Sequence, residues 1–459
     1  MQVNWYLPPP IKLWQKETYL AYLPAAHILE FILEVGMLAL GTKIGYSDPR
    51  TIFSKGAVRK LVDGSLNNKN TGHGNFPPGG MQEFAPSVVV GVPKIYDVLM
   101  KGVEDAINKS SLPTRALFAA GFFCRSSALK QGRTAPVSSK VFESARSMLG
   151  GRIKLCITGG GPISSDVQNF IRVAFNTNLI QGYGLTETSG VGTVQAHDCC
   201  QDGVVGPPTT ANEIRLASCV DESGSALVLD RHGKPYLSSD THHLRAPCQG
   251  RGEVLIRGPC NSPGYYIDAG KTAECFQEDG WFRTGDVGVW QPDGTLKIVD
   301  RLKNLVKLKG GEYVAIESME ATYAQSVYVN GVTGGLMCYA DGDMDRPVAL
   351  VQVNVPKLKE WAAGAGVAYV DAMDLCKNPA AAAMVAKDLN AIGKGTLGGN
   401  EALAAVALLP GTGDPESSGP DAPWTPENTF LTASNKLNRK PIEAGFKDVL
   451  AATKAMGIR

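Results

Sequence analysis

The stretch DGWFRTGDVGVWQPDGTLKIVDRLKNLVKLKGGEYVAIESME, Asp279 to Glu320, sets two acidic turns, a basic run and a glycine pair in one connected segment. That combination reads as a hinge between domains. A carboxylate at Asp286 is able to accept hydrogen bonds from two ribose hydroxyls, and the planar guanidinium of Arg301 offers a fork of donors to the same sugar. Lys303 and Lys307 bring positive charge beside any phosphate. Taken alone, the same residues also suit a solvated charged hairpin, so the rest of the chain has to decide between the two.

Upstream of this segment the chain has an α/β rhythm. The run FAPSVVVGVPKIYDVLMKGVEDAI predicts a buried strand over Val88–Val90, a Gly-Val-Pro turn and a helix from about Lys94. RIKLCITGGGPISSDVQNFIRVAFNTNLIQGYGLTE repeats the pattern, with a helix capped near Ser164 or Ser165 between two strands and a second turn after them. Nearer the start, ETYLAYLPAAHILE predicts a short apolar strand ending at Leu23, Pro24 at a helix start and His27 in the first turn. Residues 64–80, rich in Asn and Gly, read as a surface loop; the opening MQVNWYLPPPIKLWQ, with Pro8, Pro9 and Pro10, reads as neither core strand nor targeting peptide. Past Asp202, short strands such as NEIRLASC, SALVLD and GEVLIRGP, separated by Gly, Pro and Asp turns, suggest a small antiparallel barrel. Around and after Asp300, strands near Leu296–Val299 and Val348–Val353 and a helix near Met384–Ile392 suggest a small α+β domain. No internal repeat is evident.

Two turns hold residues suited to a nucleotide. Gly159, Gly160 and Gly161 follow the strand IKLCIT and, lacking a Cβ, let a flat base or a sugar approach the main chain; a tight strand-to-helix turn explains them nearly as well. They form neither a GxGxxG string nor a Walker loop. In QGYGLTET, Tyr183 offers an aromatic face, Thr186 a hydroxyl and Glu187 a hard oxygen ligand for Mg2+. In their order along the chain these motifs resemble those of long-chain fatty acyl-CoA synthetases, within the adenylate-forming superfamily that includes luciferases and acetyl-CoA synthetases. The string KLKGGEYVA, with Glu312 and Tyr313 after the glycines, is most similar to the eukaryotic long-chain branch. The resemblance runs from about Thr18 to the C-terminus, with divergent segments near residues 54–80 and 395–428.

The resemblance implies an α/β adenylate-forming enzyme fold with incomplete N-terminal α/β subdomains over residues 1–201, a small β-barrel over 202–300 and a mobile α+β C-terminal cap over 301–459. It gives the adenine-contacting turn to Gly159, Gly160 and Gly161, adenine packing to Tyr183, phosphate contact to Thr186 and Mg2+ to Glu187. Ribose contacts fall to Asp286 and Arg301, the hinge to Lys303, the pantetheine path to Gly310 and Gly311, and the catalytic lysine to Lys436 in LTASNKLNRKP. The long-chain form carries Thr-Pro-Thr where this chain has Thr432, Ala433 and Ser434, and with Arg439 and Lys440 close by, a solvated lysine in a basic loop is the plain alternative. His27 falls where the family lines its acyl or nucleotide cavity, although a histidine on an apolar helix is more often a core residue. The implied reaction joins a fatty acid to ATP as an acyl adenylate and passes the acyl group to coenzyme A. The family's Ser/Thr/Gly-rich phosphate loop has no counterpart before LPAAHILE, so the N-terminal part of such an enzyme reads as missing. This leaves open a non-catalytic adenylate-binding remnant, and an aryl- or luciferase-like adenylating enzyme.

Composition narrows the remaining classes. At 459 residues and 44% hydrophobic content, the chain is long enough to bury more than one core, and two to four domains are expected. Its 45 basic and 44 acidic residues leave a net charge of +1, so no global field draws it to nucleic acid or anionic lipid and phosphate binding has to be local. Ten cysteines without a C-x-x-C pair, and an N-terminus without a secretory pattern, point to a reducing compartment; the resemblance implies an intracellular place, in the cytoplasm or peripherally on an organelle membrane such as the ER or peroxisome. His197, Asp198, Cys199 and Cys200 make a poor metal site, because adjacent cysteines chelate one ion badly. The apolar stretch Ile28–Leu40 is shorter than the ~20 residues of a membrane span and is broken by Glu30 and Glu34, so it reads as a packed helix.

Overall fold

The computed structural model describes residues 15–49, 51–53, 59–60, 66–67, 78–133, 139–221, 223–230, 232–331, 335–432 and 435–457. The proline-rich opening up to residue 14, most of the expected loop at 64–80, and Ala433 and Ser434 lie outside them. The chain divides into two compact units, one made of Met1–Arg215, Leu255–Arg283 and Asp293–Lys297, the other of Leu216–Val254, Thr284–Pro292 and Ile298–Arg459.

The first unit is built on a six-stranded sheet in the order Lys43–Tyr46, Thr18–Ala21, Val88–Gly91, Leu155–Thr158, Asn178–Tyr183, Thr193–Val194. The first five are parallel and the last is antiparallel to its neighbour. Such sheets are covered on both faces, and the side chains alternate accordingly. Tyr19, Ala21, Val88, Val90, Leu155 and Ile157 enter one core with Ile32, Leu33 and Met37 of the helix Ile28–Ala39. Leu20, Val89, Cys156 and Leu179 enter the other, beneath the helices Pro93–Asn108 and Ser165–Ala174. Because strand Thr18–Ala21 lies between the two strands that follow it in the chain, the winding reverses there, and in open α/β sheets ligands bind outside the carboxyl ends at such a reversal.

In the second unit, residues 298–301, 284–290, 251–254 and 216–217 stand side by side in that order. The expected strand SALVLD is replaced by isolated bridges, Val220 with Ala226 and Leu229 with Pro235, because Asp221 and Asp230 spend their carboxylates on turn amides at each end. A three-stranded sheet follows, with Leu336–Tyr339 antiparallel and Ala405–Leu409 parallel to Val348–Gln352. Alternate residues again separate two cores. Leu336, Cys338, Ala349 and Val351 pack with the helices Ile316–Tyr323 and Pro379–Gly393, while Met337, Val348 and Leu350 pack with Trp424, Phe430, Phe446 and Leu450.

Candidate functional site

In the first unit the expected residues gather at the carboxyl edge of the parallel strands. Strand Leu155–Thr158 runs into Gly159–Gly161, and Ser164 caps the next helix by accepting from Val167 N at 3.2 Å. Gly160 has φ +79°, a left-handed conformation that a side chain strains. A Cβ placed on it would lie 3.9 Å from both His27 Cε1 and Val92 Cγ1, so the ends of three strands converge on this turn. His27 is the N-cap residue of Ile28–Ala39, one position before the helix in which it was expected. Its Nδ1 accepts from Leu29 N at 3.2 Å, which in the neutral ring leaves the proton on Nε2.

Tyr183 ends strand Asn178–Tyr183, and Thr186 and Glu187 lie in the single 3-10 turn Thr186–Thr188 that follows. The loop doubles back so tightly that a Cβ at Gly184 would collide with the Gly190 carbonyl and one at Gly192 would come within 2.6 Å of Tyr183 O. Thr186 is exposed, whereas Tyr183 and Glu187 are half-buried. Glu187 Oε1 accepts from the Tyr265 hydroxyl at 2.7 Å, and its main-chain oxygen accepts from Ser262 N at 2.7 Å. Burial, followed by the Glu187 carboxylate, pushes the Tyr265 phenol up, so it stays a donor. Nothing in the sequence joins two residues 78 positions apart; Tyr265 escaped notice for that reason.

A second unforeseen group is Glu30. Read from the sequence as a polar break in an apolar stretch, it is fully buried, taking the Tyr19 hydroxyl at 2.7 Å and Leu23 N at 3.2 Å. Burial raises its carboxyl to about 7 against the lowering effect of Tyr19. It thereby ties the strand Thr18–Ala21 and the residue Leu23 beyond it to the helix that His27 caps.

In the second unit, Asp286 and Arg301 lie together on neighbouring strands, Arg301 Nε 3.4 Å from Asp286 Oδ1. Asp286 is buried, and its amide donates to Thr284 Oγ1 at 3.0 Å. Asp300 accepts from Arg301 N at 2.7 Å and from Glu317 N at 3.0 Å, and burial, then Glu317, lifts its carboxyl to about 7. Lys303 is exposed in the short turn Leu302–Asn304, inside the second unit, with the nearest division between Lys297 and Ile298. Gly310 and Gly311 form the turn between strands Leu305–Lys307 and Tyr313–Ala315, Gly311 at φ +91°.

Lys436 is exposed on a small hairpin. Thr432 N donates to Lys436 O at 2.8 Å, Lys436 N donates to Thr432 Oγ1 at 3.1 Å, and Leu431 bridges Leu437. Arg439 anchors its base by a bidentate pair to Glu320, at 2.9 and 2.7 Å. Among the described residues no three His, Cys, Asp or Glu side chains are grouped to hold a metal ion. A lone carboxylate such as Glu187 still suits Mg2+, which keeps several waters and takes other ligands from substrate phosphates.

Residues 2–266 match the family model described as AMP-binding enzyme. The chain is 32% identical over 443 residues to the long chain acyl-CoA synthetase 6, peroxisomal, of Arabidopsis thaliana, covering 96% of this chain and 55% of that protein. It is 33% identical to long-chain-fatty-acid–CoA ligase 1 of Schizosaccharomyces pombe, with 96% and 58% covered. The chain thus spans a little over half the length of the curated relatives it matches. Among solved structures, it resembles the adenylation domain of a carboxylate reductase from Mycobacterium chelonae (TM-score 0.66, 23% identity, 97% of this chain and 56% of that one). It also resembles that of Segniliparus rugosus in complex with AMP and a co-purified carboxylic acid (TM-score 0.63, 22% identity, 96% and 55%). These likenesses show a mixed α/β adenylate-forming fold.

Proposed function

The chain belongs to the AMP-binding enzyme family, and from that premise we propose that it serves the ATP-dependent activation of a long-chain fatty acid to its coenzyme A thioester. The observation that carries the reading is the convergence of His27, Val92 and the Gly159–Gly161 turn at the winding reversal of the sheet. The names of the relatives support the acyl chain and the thiol acceptor. In the first step a carboxylate oxygen attacks the α-phosphorus of ATP, the bond to the bridging oxygen breaks and pyrophosphate leaves. In the second the thiol sulfur attacks the acyl carbon, AMP departs and the thiol proton is lost.

The chain's own residues take up the charge. Tyr183 packs on the adenine, Thr186 donates to a phosphate oxygen, and Asp286 accepts from the ribose with Arg301 beside it. Lys436 supplies an ammonium against the negative charge developing at the α-phosphate, and one such donor is worth about 3–4 kcal/mol of barrier. Mg2+ held at Glu187 would neutralise further phosphate charge. Lys303 acts as the hinge between the two steps, and Gly310 and Gly311 leave room for the pantetheine. The acting compartment is intracellular; two of the Arabidopsis relatives are named peroxisomal.

The test is pyrophosphate exchange into ATP driven by palmitate, followed by palmitoyl-CoA formation, for this chain and for one extended upstream. Exchange in either supports the ligase. AMP binding without exchange in either would replace it with a nucleotide-binding module, and preference for coumarate-like acids would replace the fatty acid.

A further inference from the structure

The helix Leu112–Lys130 is apolar on both sides. Its inner side is held: Phe118 meets Phe142 and Phe122 meets Phe170, both with ring centroids 5.5 Å apart, and Ser126 donates to Asn169 at 3.0 Å. Among the described residues nothing covers the outer side. Leu112, Leu117 and Phe123 are 75, 59 and 72% exposed, and exposed Ala116, Ala119, Ala120 and Cys124 fill the surface between them. Isolated apolar side chains on a surface need no explanation, but a contiguous patch marks a docking face.

Charge identifies what docks. From Ala106 to Phe142 the chain has six basic residues, Lys109, Arg115, Arg125, Lys130, Arg133 and Lys140, and no acidic one, in a protein whose totals nearly balance. Arg115, Lys130 and Arg133 are exposed beside the apolar face, while Lys109 pairs with Asp105. A second copy meeting this face would set like charges together. Nucleic acid would use the cations and leave Leu112 and Phe123 in water. An anionic bilayer uses both, taking apolar side chains into its interface and cations at its headgroups. Among the described residues no helix is long and apolar enough to cross a membrane, so the contact is with one surface. We propose that the outer face of Leu112–Lys130 seats this protein on an anionic lipid surface. The inference does not depend on the activity proposed above.

Co-sedimentation with vesicles tests it. The unaltered chain pellets with phosphatidylcholine vesicles containing about one-third phosphatidylserine, far less with phosphatidylcholine alone, and binding weakens as salt rises. Leu117→Ser with Phe123→Ser lowers the partition coefficient at least roughly tenfold, as expected when buried apolar area is lost, and Arg115→Ser with Arg133→Ser removes the preference for phosphatidylserine. Cys124, the one exposed cysteine of the ten, gives a readout that needs no variant. Its alkylation, followed by mass spectrometry, slows when the anionic vesicles are added. Equal binding to both vesicles, an unprotected Cys124, or a dimer abolished by the Leu117 and Phe123 substitutions without vesicle binding would each overturn the proposal.

Discussion

Glu30→Gln tests the most heavily buried charge near the candidate site. With its carboxyl raised from 4.5 to about 7, Glu30 stays protonated in the folded chain over a range where the unfolded chain has already lost the proton. The unfolded state therefore binds fewer protons between pH 4.5 and 7, and stability falls as pH rises through that window. At about 1.4 kcal/mol for each tenfold change in proton concentration, the loss is on the order of 3 kcal/mol, complete above pH 7. A glutamine keeps one oxygen for Leu23 N, turns its amide NH2 to the Tyr19 hydroxyl oxygen as a protonated carboxyl would turn its O–H, and never ionises. The variant should match the unaltered chain near pH 4.5 and exceed it at pH 8, by roughly 6–12 °C in Tm for a unit of this size. Thermal melts of both proteins at intervals from pH 4.5 to 8.5 read the difference directly. A difference that does not change with pH, or an unaltered chain that gains stability towards pH 8, would refute the buried-carboxylate reasoning.

Gly184→Ala should destabilise at the upper end of the ~1–3 kcal/mol typical of overpacking, because its new methyl meets the Gly190 carbonyl. Gly160→Ala should cost only about 1 kcal/mol, from its left-handed backbone alone; denaturant midpoints separate the two. Glu320→Gln takes away the carboxylate onto which Arg439 forks and should lose roughly 2–3 kcal/mol by the same measurement, below the full cost of a buried pair because Arg439 is partly solvated. Lys436→Ala should lower palmitate-driven pyrophosphate exchange about 10²- to 10³-fold with AMP affinity, read by calorimetry, little changed.

Local chemistry made much of the framework legible. The strand over Val88–Gly91, the Ser164 cap and the strand Asn178–Tyr183 all follow from short-range patterns of β-branched residues, serine and glycine. The helix Pro379–Gly393 did too, although its first turns, opened by Asn378 and Pro379, extend ahead of the stretch expected near Met384–Ile392. What escaped depended on distance in the chain. Glu30 reads only as a polar break in an apolar stretch because the fold alone supplies Tyr19 and Leu23 as its partners. Tyr265 carries no signal of its own because its partner, Glu187, lies 78 positions upstream. SALVLD has the composition of a strand, yet Asp221 ties its first amide, Ser225 N, into a turn, and Asp230 at its end accepts from Lys234 N in the next.

The piecewise make-up of the first unit bears on how the protein is born. Its sheet is complete in sequence by Val194, yet two of its pieces, 255–283 and 293–297, are encoded far downstream. A nascent chain must hold that sheet on the ribosome, with Glu187 still waiting for Tyr265, while the intervening residues of the other unit emerge. Translation pauses inside 216–297 should therefore influence yield more than pauses after it, since an unfinished parallel sheet exposes apolar surface to aggregation.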